Sequence, residues 1–390
     1  MLIQKAYKFR LEPKKEQARQ MSQFAGCVRY VWNRALALQK ETLKATGKRK
    51  SFAELCKLLT QWRQESECIW LKDAPIHALQ QTLKHLDVAY QRFFNKELPA
   101  QEPRFKKKGR SDSFKESDPA CFRIKENEIK LPKIGWVCFR MSREIEGTAK
   151  NITISKRLEH WFVSIQVELE IAQSEHSSTS AIGVDMGISK FATLSNGTFI
   201  PPLNSSRKRE DKLIKEQRNL SRKVKFSSNW KKQRKKVVRV HIKIADARQD
   251  FIHKASTNLS KNHAIVVMED LKITNMSKSA KGTQEDPGKN VSAKSGLNKS
   301  ILDQGWHEFR RQLEYKQHWR GGAVVLVSPR NTSRKCSNCN YVHASNRTSQ
   351  AKFLCLQCGH SENADVNAAK NILAAGHAVS ACGDIKRIVA

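Results

Sequence analysis

Cys336–Leu373 reads CSNCNYVHASNRTSQAKFLCLQCGHSENADVNAAKNIL. Two Cys-x-x-Cys pairs, Cys336 with Cys339 and Cys355 with Cys358, stand fifteen residues apart. That spacing describes a tetrahedral zinc site of four thiolates, with a hairpin between the pairs that returns the chain to the ion. Four thiolates leave no position open, so the zinc is expected to be structural. A helix follows at once, opening at Ser361-Glu362-Asn363-Ala364-Asp365 and continuing through Ala368, Ala369, Ile372 and Leu373 at helical spacing. A lone acid in a first turn complements the helix dipole, and Asp365 keeps that plain reading until other acids join it.

Outside this stretch the dominant fact is charge. Lys and Arg number 72 against 37 Asp and Glu, a net charge of +35 on 390 residues, which points to a polyanion, nucleic acid above all, as partner. With 39% hydrophobic residues the chain is expected to be globular, with room for two to four domains. It has no run of some eighteen apolar residues and no apolar signal core in MLIQKAYKFRLEP, so a cytoplasmic location is expected. The other cysteines, Cys27, Cys56, Cys68, Cys121, Cys138 and Cys382, show no framework spacing and read as small buried hydrophobes.

Periodicity divides the chain. Tyr7, Phe9 and Leu11 alternate with Lys8 and Arg10 as a half-buried strand ended by Pro13. Met21, Phe24, Val28, Val31, Ala35 and Leu38 then mark a long amphipathic helix. Ser51 with Glu54 forms a capping box for a second helix, and Asp73 and Pro75 open a third through Ile76, Leu79, Leu83, Leu86, Tyr90 and Phe93. The basic loop PRFKKKGRSDSFK, 103 to 115, fits either a strand-tracking segment or a solvated linker. From 120 to 171 the period falls to two, as in Val163, Ile165, Val167 and Leu169, and predicts a small antiparallel β-barrel.

From Ala181 the pattern becomes α/β. AIGVD is a buried strand ending at Asp185, and Asn196-Gly197 marks a hairpin. Between Arg207 and Arg248 stand 17 Lys or Arg against 4 acids, more than solubility needs, so this run is expected to meet phosphates. Ala264–Met268 is a second buried strand, ending in Glu269; Ser277–Ser300 lacks periodicity and reads as a mobile loop. Asp185, Glu269 and Asp365 thus occupy comparable places. A buried unpaired carboxylate costs several kcal/mol, and a metal offsets that cost. Carboxylates without nitrogen ligands suit Mg2+ or Mn2+, and two such ions serve phosphodiester cleavage. Asp270 faces the other side of its strand and reads as structural. His343 and His360, beside completed thiolate pairs, read as RNA contacts or bystanders. Asp384, in the tail, is a weaker rival to Asp365.

The segments GVDMGISKFATLSNG, VVMEDLKITNM, GLNKSILDQGWHEFRRQL, VSPRNTSRKCSNC and CGHSENADVNAAKNIL resemble, in order, the motifs of the TnpB/OrfB proteins of bacterial insertion sequences, relatives of the type V CRISPR nucleases. KAYKFRLEPKKEQARQMSQFAGCVRYVWNRAL resembles their N-terminal helix-turn-helix-like segment, so the likeness runs from about residue 3 to 373. It implies a multidomain α+β protein. Residues 1–12 and 116–173 would form a wedge β-barrel, 13–115 a helical recognition lobe, and 181–330 with 361–375 an RNase H-like (RuvC) nuclease domain. A zinc ribbon at 331–360 would interrupt the nuclease, and 376–390 would be a tail. It further implies Asp185, Glu269 and Asp365 as catalytic Mg2+ ligands, a guide RNA from the transposon end, and cleavage of paired double-stranded DNA beside a short transposon-adjacent motif by a monomer. A complete triad argues against a cleavage-deficient guided repressor or a DNA-binding transposition accessory.

Overall fold

The computed structural model describes residues 1–97, 100–110, 112–172 and 175–381. Two compact units divide at Ala172/Gln173. Cys382 and Asp384 lie outside the described residues. Among the described residues, no helix is long and apolar enough to cross a membrane.

The first unit starts with β1 (Leu2–Glu12), whose alternation buries Ile3, Tyr7, Phe9 and Leu11 on one side. Helices α1 (Lys15–Thr46), α2 (Phe52–Trp62) and α3 (Ile76–Phe94) follow. Ser51 and Glu54 make the expected capping box, each side chain satisfying the other's backbone amide. Pro75 caps α3, whereas Asp73 instead accepts a hydrogen bond from Gln23 of α1. Phe93, expected inside, is 38% exposed. Strands β2 (Ser113–Glu116), β3 (Arg123–Lys125), β4 (Glu128–Leu131), β5 (Gly135–Phe139), β6 (Thr148–Arg157) and β7 (His160–Glu170) complete the unit.

These strands form one antiparallel sheet in the order β2-β6-β7-β1-β5-β4-β3, with Leu2 opposite Glu170 and Leu11 opposite Trp161. The sheet is not the expected barrel, because its end strands β2 and β3 do not pair. Its apolar face is covered by helices instead of by itself. Residues of β1, β6 and β7 share a continuous core with α1, α2 and α3, and Phe24 of α1 meets Phe114 of β2 edge-on at 5.8 Å. The basic loop before β2 is pinned to α1: Trp32 Nε1 donates to the Arg104 carbonyl, and Asn33 bonds both the amide and the carbonyl of Lys106. The scattered cysteines divide. Cys27 and Cys68 are buried, Cys56 and Cys121 are half-buried, and Cys138, on an outward position of β5, is exposed and not the buried hydrophobe expected.

The second unit contains β8 (Ala181–Met186), β9 (Ala192–Leu194), β10 (Phe199–Ile200), α4 (Glu210–Ser221), α5 (Ser228–Asn262), β11 (Ile265–Glu269) and α6 (Ile273–Met276). Then come α7 (Val291–Gln304), α8 (Trp306–Trp319), β12 (Ala323–Val327), β13 (Lys352–Leu354), β14 (Ser361–Asn363) and α9 (Ala364–Ala381). The central sheet runs β10-β9-β8-β11-β12, antiparallel through β8 and parallel from β8 to β12. Parallel neighbours need crossovers, which the helical stretches supply.

Period-two alternation gives this sheet two different faces. Ile182, Val184, Val266 and Met268 pack against Ile252 and Leu259 of α5 and Phe309 and Leu313 of α8. Val267, Val325 and Val327 face the opposite way, towards Ile372 of α9. The expected loop Ser277–Ser300 is a correction: its last ten residues begin α7, whose polar surface hides its period because within that helix only Ile301 and Gln304 are buried. Phe191 is fully buried, with Phe251 and Phe309 each edge-on at 4.9 Å. Phe191→Ala is expected to destabilise the second unit by about 3–5 kcal/mol in urea unfolding followed by tryptophan fluorescence.

Candidate active site

Asp185 is on the face of β8 that also carries Gly183, and Glu269 on the face of β11 that also carries Val267. Val267 pairs in register with Gly183 and Met268 with Val184, so Glu269 continues the ladder beside Asp185. Helix α9 covers this face. At Gly183 it comes so close that a Cβ would overlap the Ala369 carbonyl oxygen and stand 2.9 Å from Leu373 Cβ. From that contact, two residues along the strand advance about 6.6 Å, and four residues back along the helix about 6 Å. Both steps end at an acid, Asp185 on the strand and Asp365 on the helix.

The three carboxylates therefore converge at the C-terminal ends of β8 and β11, beside the start of α9. Their oxygens are not all within 4.8 Å of one another, unlike the thiols described below. Burial, then Glu269, then Asp365 push the Asp185 carboxyl up to about 7, with Arg347 opposing. Burial also raises Glu269, against a hydrogen bond that Thr332 Oγ1 donates to its Oε1 at 2.6 Å. Asp365 receives Arg347 Nη2 at 3.0 Å on Oδ1 and lies 3.9 Å from Lys190 Nζ through Oδ2. Asp270 sits apart, held by Arg310 at 2.8 Å and Lys272 at 2.6 Å, the structural role its strand face implies.

The sulfurs of Cys336, Cys339, Cys355 and Cys358 all lie within 4.8 Å of one another. Cys336 Sγ is 3.7 Å from Cys358 Sγ, and Cys339 Sγ is 3.5 Å from Cys355 Sγ. A zinc tetrahedron with bonds near 2.3 Å has sulfur edges of about 3.8 Å, so this donor set fits zinc. Each pair turns through a left-handed residue after its second cysteine, Asn340 (φ 65°) and Gly359 (φ 68°), whose amides reach back to the carbonyls of Cys336 and Cys355. His343 caps a short turn and stacks on Tyr341, and His360 Nε2 lies 3.4 Å from Glu362.

Arg347, Lys190, Thr332, Asn367 and Asn371 were not singled out by sequence reasoning. Asn367 and Asn371 lie one turn apart on α9, both buried, and tie the four-cysteine segment to it. Asn367 bonds the Ser337 amide and the Lys335 carbonyl, and Asn371 the carbonyls of Thr332 and Lys335. The available signal was asparagine at helical spacing within an otherwise apolar stripe. The basic run lies on α4, α5 and their connection, where Lys215, Arg218, Arg222, Lys231, Lys232 and Lys236 are exposed.

A family model described as "Probable transposase" matches residues 164–280, one described as "Cas12f1-like, TNB domain" matches 306–372, and one described as "Helix-turn-helix domain" matches 1–48. Across 97% of its length the chain is 51% identical to "Putative RNA-guided DNA endonuclease InsQ" of Escherichia coli K12, covering 94% of that protein. The chain belongs to the TnpB/OrfB family. A Streptomyces pristinaespiralis member of the same description is 36% identical over 98% of the chain and 92% of its own length. A cryo-EM structure of a Cas12f1–sgRNA–target DNA complex superposes with a TM-score of 0.53, covering 95% of this chain and 98% of that one at 13% identity.

Two outcomes are expected from this geometry. Because Asp185 is raised in the folded protein, it contributes stability that is complete below pH 3.8 and lost as pH rises towards 7. In metal-free protein, Asp185→Asn should therefore flatten the fall in stability between pH 4 and 7, read by thermal melts across that range. Gly183→Ala should force α9 away from β8 and lower the melting temperature by several degrees or more.

Proposed function

We propose that this chain is a transposon-encoded, RNA-guided DNA endonuclease whose Asp185, Glu269 and Asp365 form a Mg2+-dependent, RuvC-type active site. The observation that carries the reading is the convergence of three carboxylates at the ends of two parallel strands and the start of the helix laid across them. The strand order β10-β9-β8-β11-β12 supports an RNase H-like description. The relatives' descriptions support the guide RNA and the DNA substrate.

Asp185, Glu269 and Asp365 offer only oxygen donors, the set that suits a hard divalent cation. Bound there, two such ions would activate the attacking water and neutralise the leaving oxygen. The chain's own residues do the remaining work. The burial that raises Asp185 and Glu269 disfavours their bare negative charge, which a dication bound there would offset. Thr332 fixes the rotamer of Glu269. Arg347 and Lys190, which hold Asp365, are placed to turn towards a phosphodiester once cations take over that carboxylate. The exposed lysines and arginines of α4 and α5 supply sequence-independent phosphate contacts. Base pairing to the guide supplies sequence, and the protein reads duplex shape and a short adjacent motif. In this reading the first unit combines recognition and wedge roles, and the protein acts as a monomer on one RNA.

The test begins with the chain co-expressed with its native downstream flank, purified in high salt, and the bound RNA sequenced. One discrete species ending in flanking sequence is expected. With that complex, Asp185→Ala should retain RNA and target DNA in gel-shift assays and lower the Mg2+-dependent cleavage rate by at least about a thousandfold. Retained cutting would refute the site, and heterogeneous RNA would refute the guide.

A further inference from the structure

The first unit buries a carboxylate that no neighbouring side chain answers. Glu116 ends β2 on the same side as the core residue Phe114 and is fully buried. Neither of its oxygens has a hydrogen-bond partner among the described residues. In a strand position where an apolar residue would pack, such a group costs several kcal/mol unless something offsets it.

The segment that follows supplies ligands. Asp118 caps a single turn over Pro119–Cys121, its Oδ1 accepting the Ala120 amide at 2.9 Å, and its Oδ2 lies 3.8 Å from Cys121 Sγ. His77, in the first turn of α3, brings an imidazole nitrogen to the same place. One ligand atom each from His77, Asp118 and Cys121 lie within 4.8 Å of one another, and all three residues are half-buried. Each alone has a plain explanation: Asp118 caps, Cys121 fills space, and His77 begins a helix. Together with an orphaned carboxylate two residues before Asp118, they make a site.

We infer that His77, Asp118 and Cys121 hold a second transition-metal ion, of the zinc class, with the buried charge of Glu116 beside it. The donor set selects the class. A thiolate with an imidazole and a carboxylate disfavours Mg2+ and Ca2+ and suits zinc, which takes nitrogen, sulfur and oxygen at about 2.0–2.3 Å. Closing donors spaced up to 4.8 Å onto such bonds needs shifts within the range of side-chain rotation. The ion would tie the start of α3 to the turn beyond β2, clamping the helical layer to the edge strand that leaves the sheet open. Its dipositive charge offsets the thiolate and the Asp118 and Glu116 carboxylates, which packing alone leaves uncompensated.

The experiment is independent of nuclease activity. Full-length protein is stripped with chelator, reloaded with Zn2+ and analysed by elemental mass spectrometry. Two zinc ions per chain are expected; His77→Gln and Cys121→Ser should each lower the count to one, while Cys355→Ser removes the other ion and leaves this one. Glu116→Gln should weaken the second site by about tenfold or more in a competition titration, as losses beside a metal do. On wild-type protein, peptide mapping after alkylation should show Cys121 protected by Zn2+ and modified after chelation. That readout decides the matter even if a variant fails to fold. One zinc per chain with Cys121 alkylated equally in both states would overturn the site, and unchanged affinity in Glu116→Gln would overturn the part given to Glu116.

Discussion

Everything at the candidate active site hangs on a missing Cβ. Gly183 lets the backbone of α9 rest against β8, with the Ala369 carbonyl occupying the space where any other side chain would stand. Strand and helix advance by nearly equal lengths from that point to Asp185 and Asp365. The same face brings Glu269 in by register, because parallel pairing aligns β11 with β8 residue for residue. The acids that act on Asp185 are Glu269 and Asp365, while the opposite face is filled by α5 and α8. A sheet clothed on both sides thus has one side made for packing and one side made for a narrow approach.

The acids were legible because buried strands that end in carboxylates conflict with stability, and that conflict is visible in the order of residues. AIGVD and AIVVME show it without a structure. The partners of those acids were not legible. Arg347 lies eighteen residues before Asp365, in the hairpin between the cysteine pairs, and one basic residue among 72 in the chain carries no local mark. Thr332 is equally silent. Helix α7 escaped because a helix that buries only Ile301 and Gln304 has no apolar stripe to read. The expected barrel failed for a different reason. Alternation along β1, β6 and β7 reports that one face is covered but not what covers it, and here the cover is α1, α2 and α3. Glu116 shows the limit from the other side, since an acid closing a four-residue edge strand looks solvated until its burial is seen.

Helix α9 also carries the four-cysteine segment. Asn367 and Asn371 hold that segment by its backbone, while Asp365, two residues before Asn367 on the same helix, belongs to the acid cluster and Arg347 reaches it from the hairpin. A thiolate-bound zinc at Cys336, Cys339, Cys355 and Cys358 would therefore set the position of a cation beside a carboxylate. Stiffness made by sulfur coordination would then be passed to Asp365 through two amide side chains.

The order of synthesis gives this arrangement a temporal meaning. Asp185 and Glu269 are made before Asp365, which follows Glu269 by 96 residues. At ordinary elongation rates that interval lasts roughly 5–20 s. Throughout it, the growing chain has already made the basic helices α4 and α5, yet it lacks both the third acid and the helix that seats it. On the function proposed above, a nascent copy could hold polyanions before it could assemble the acid cluster, so binding capacity would precede cutting capacity.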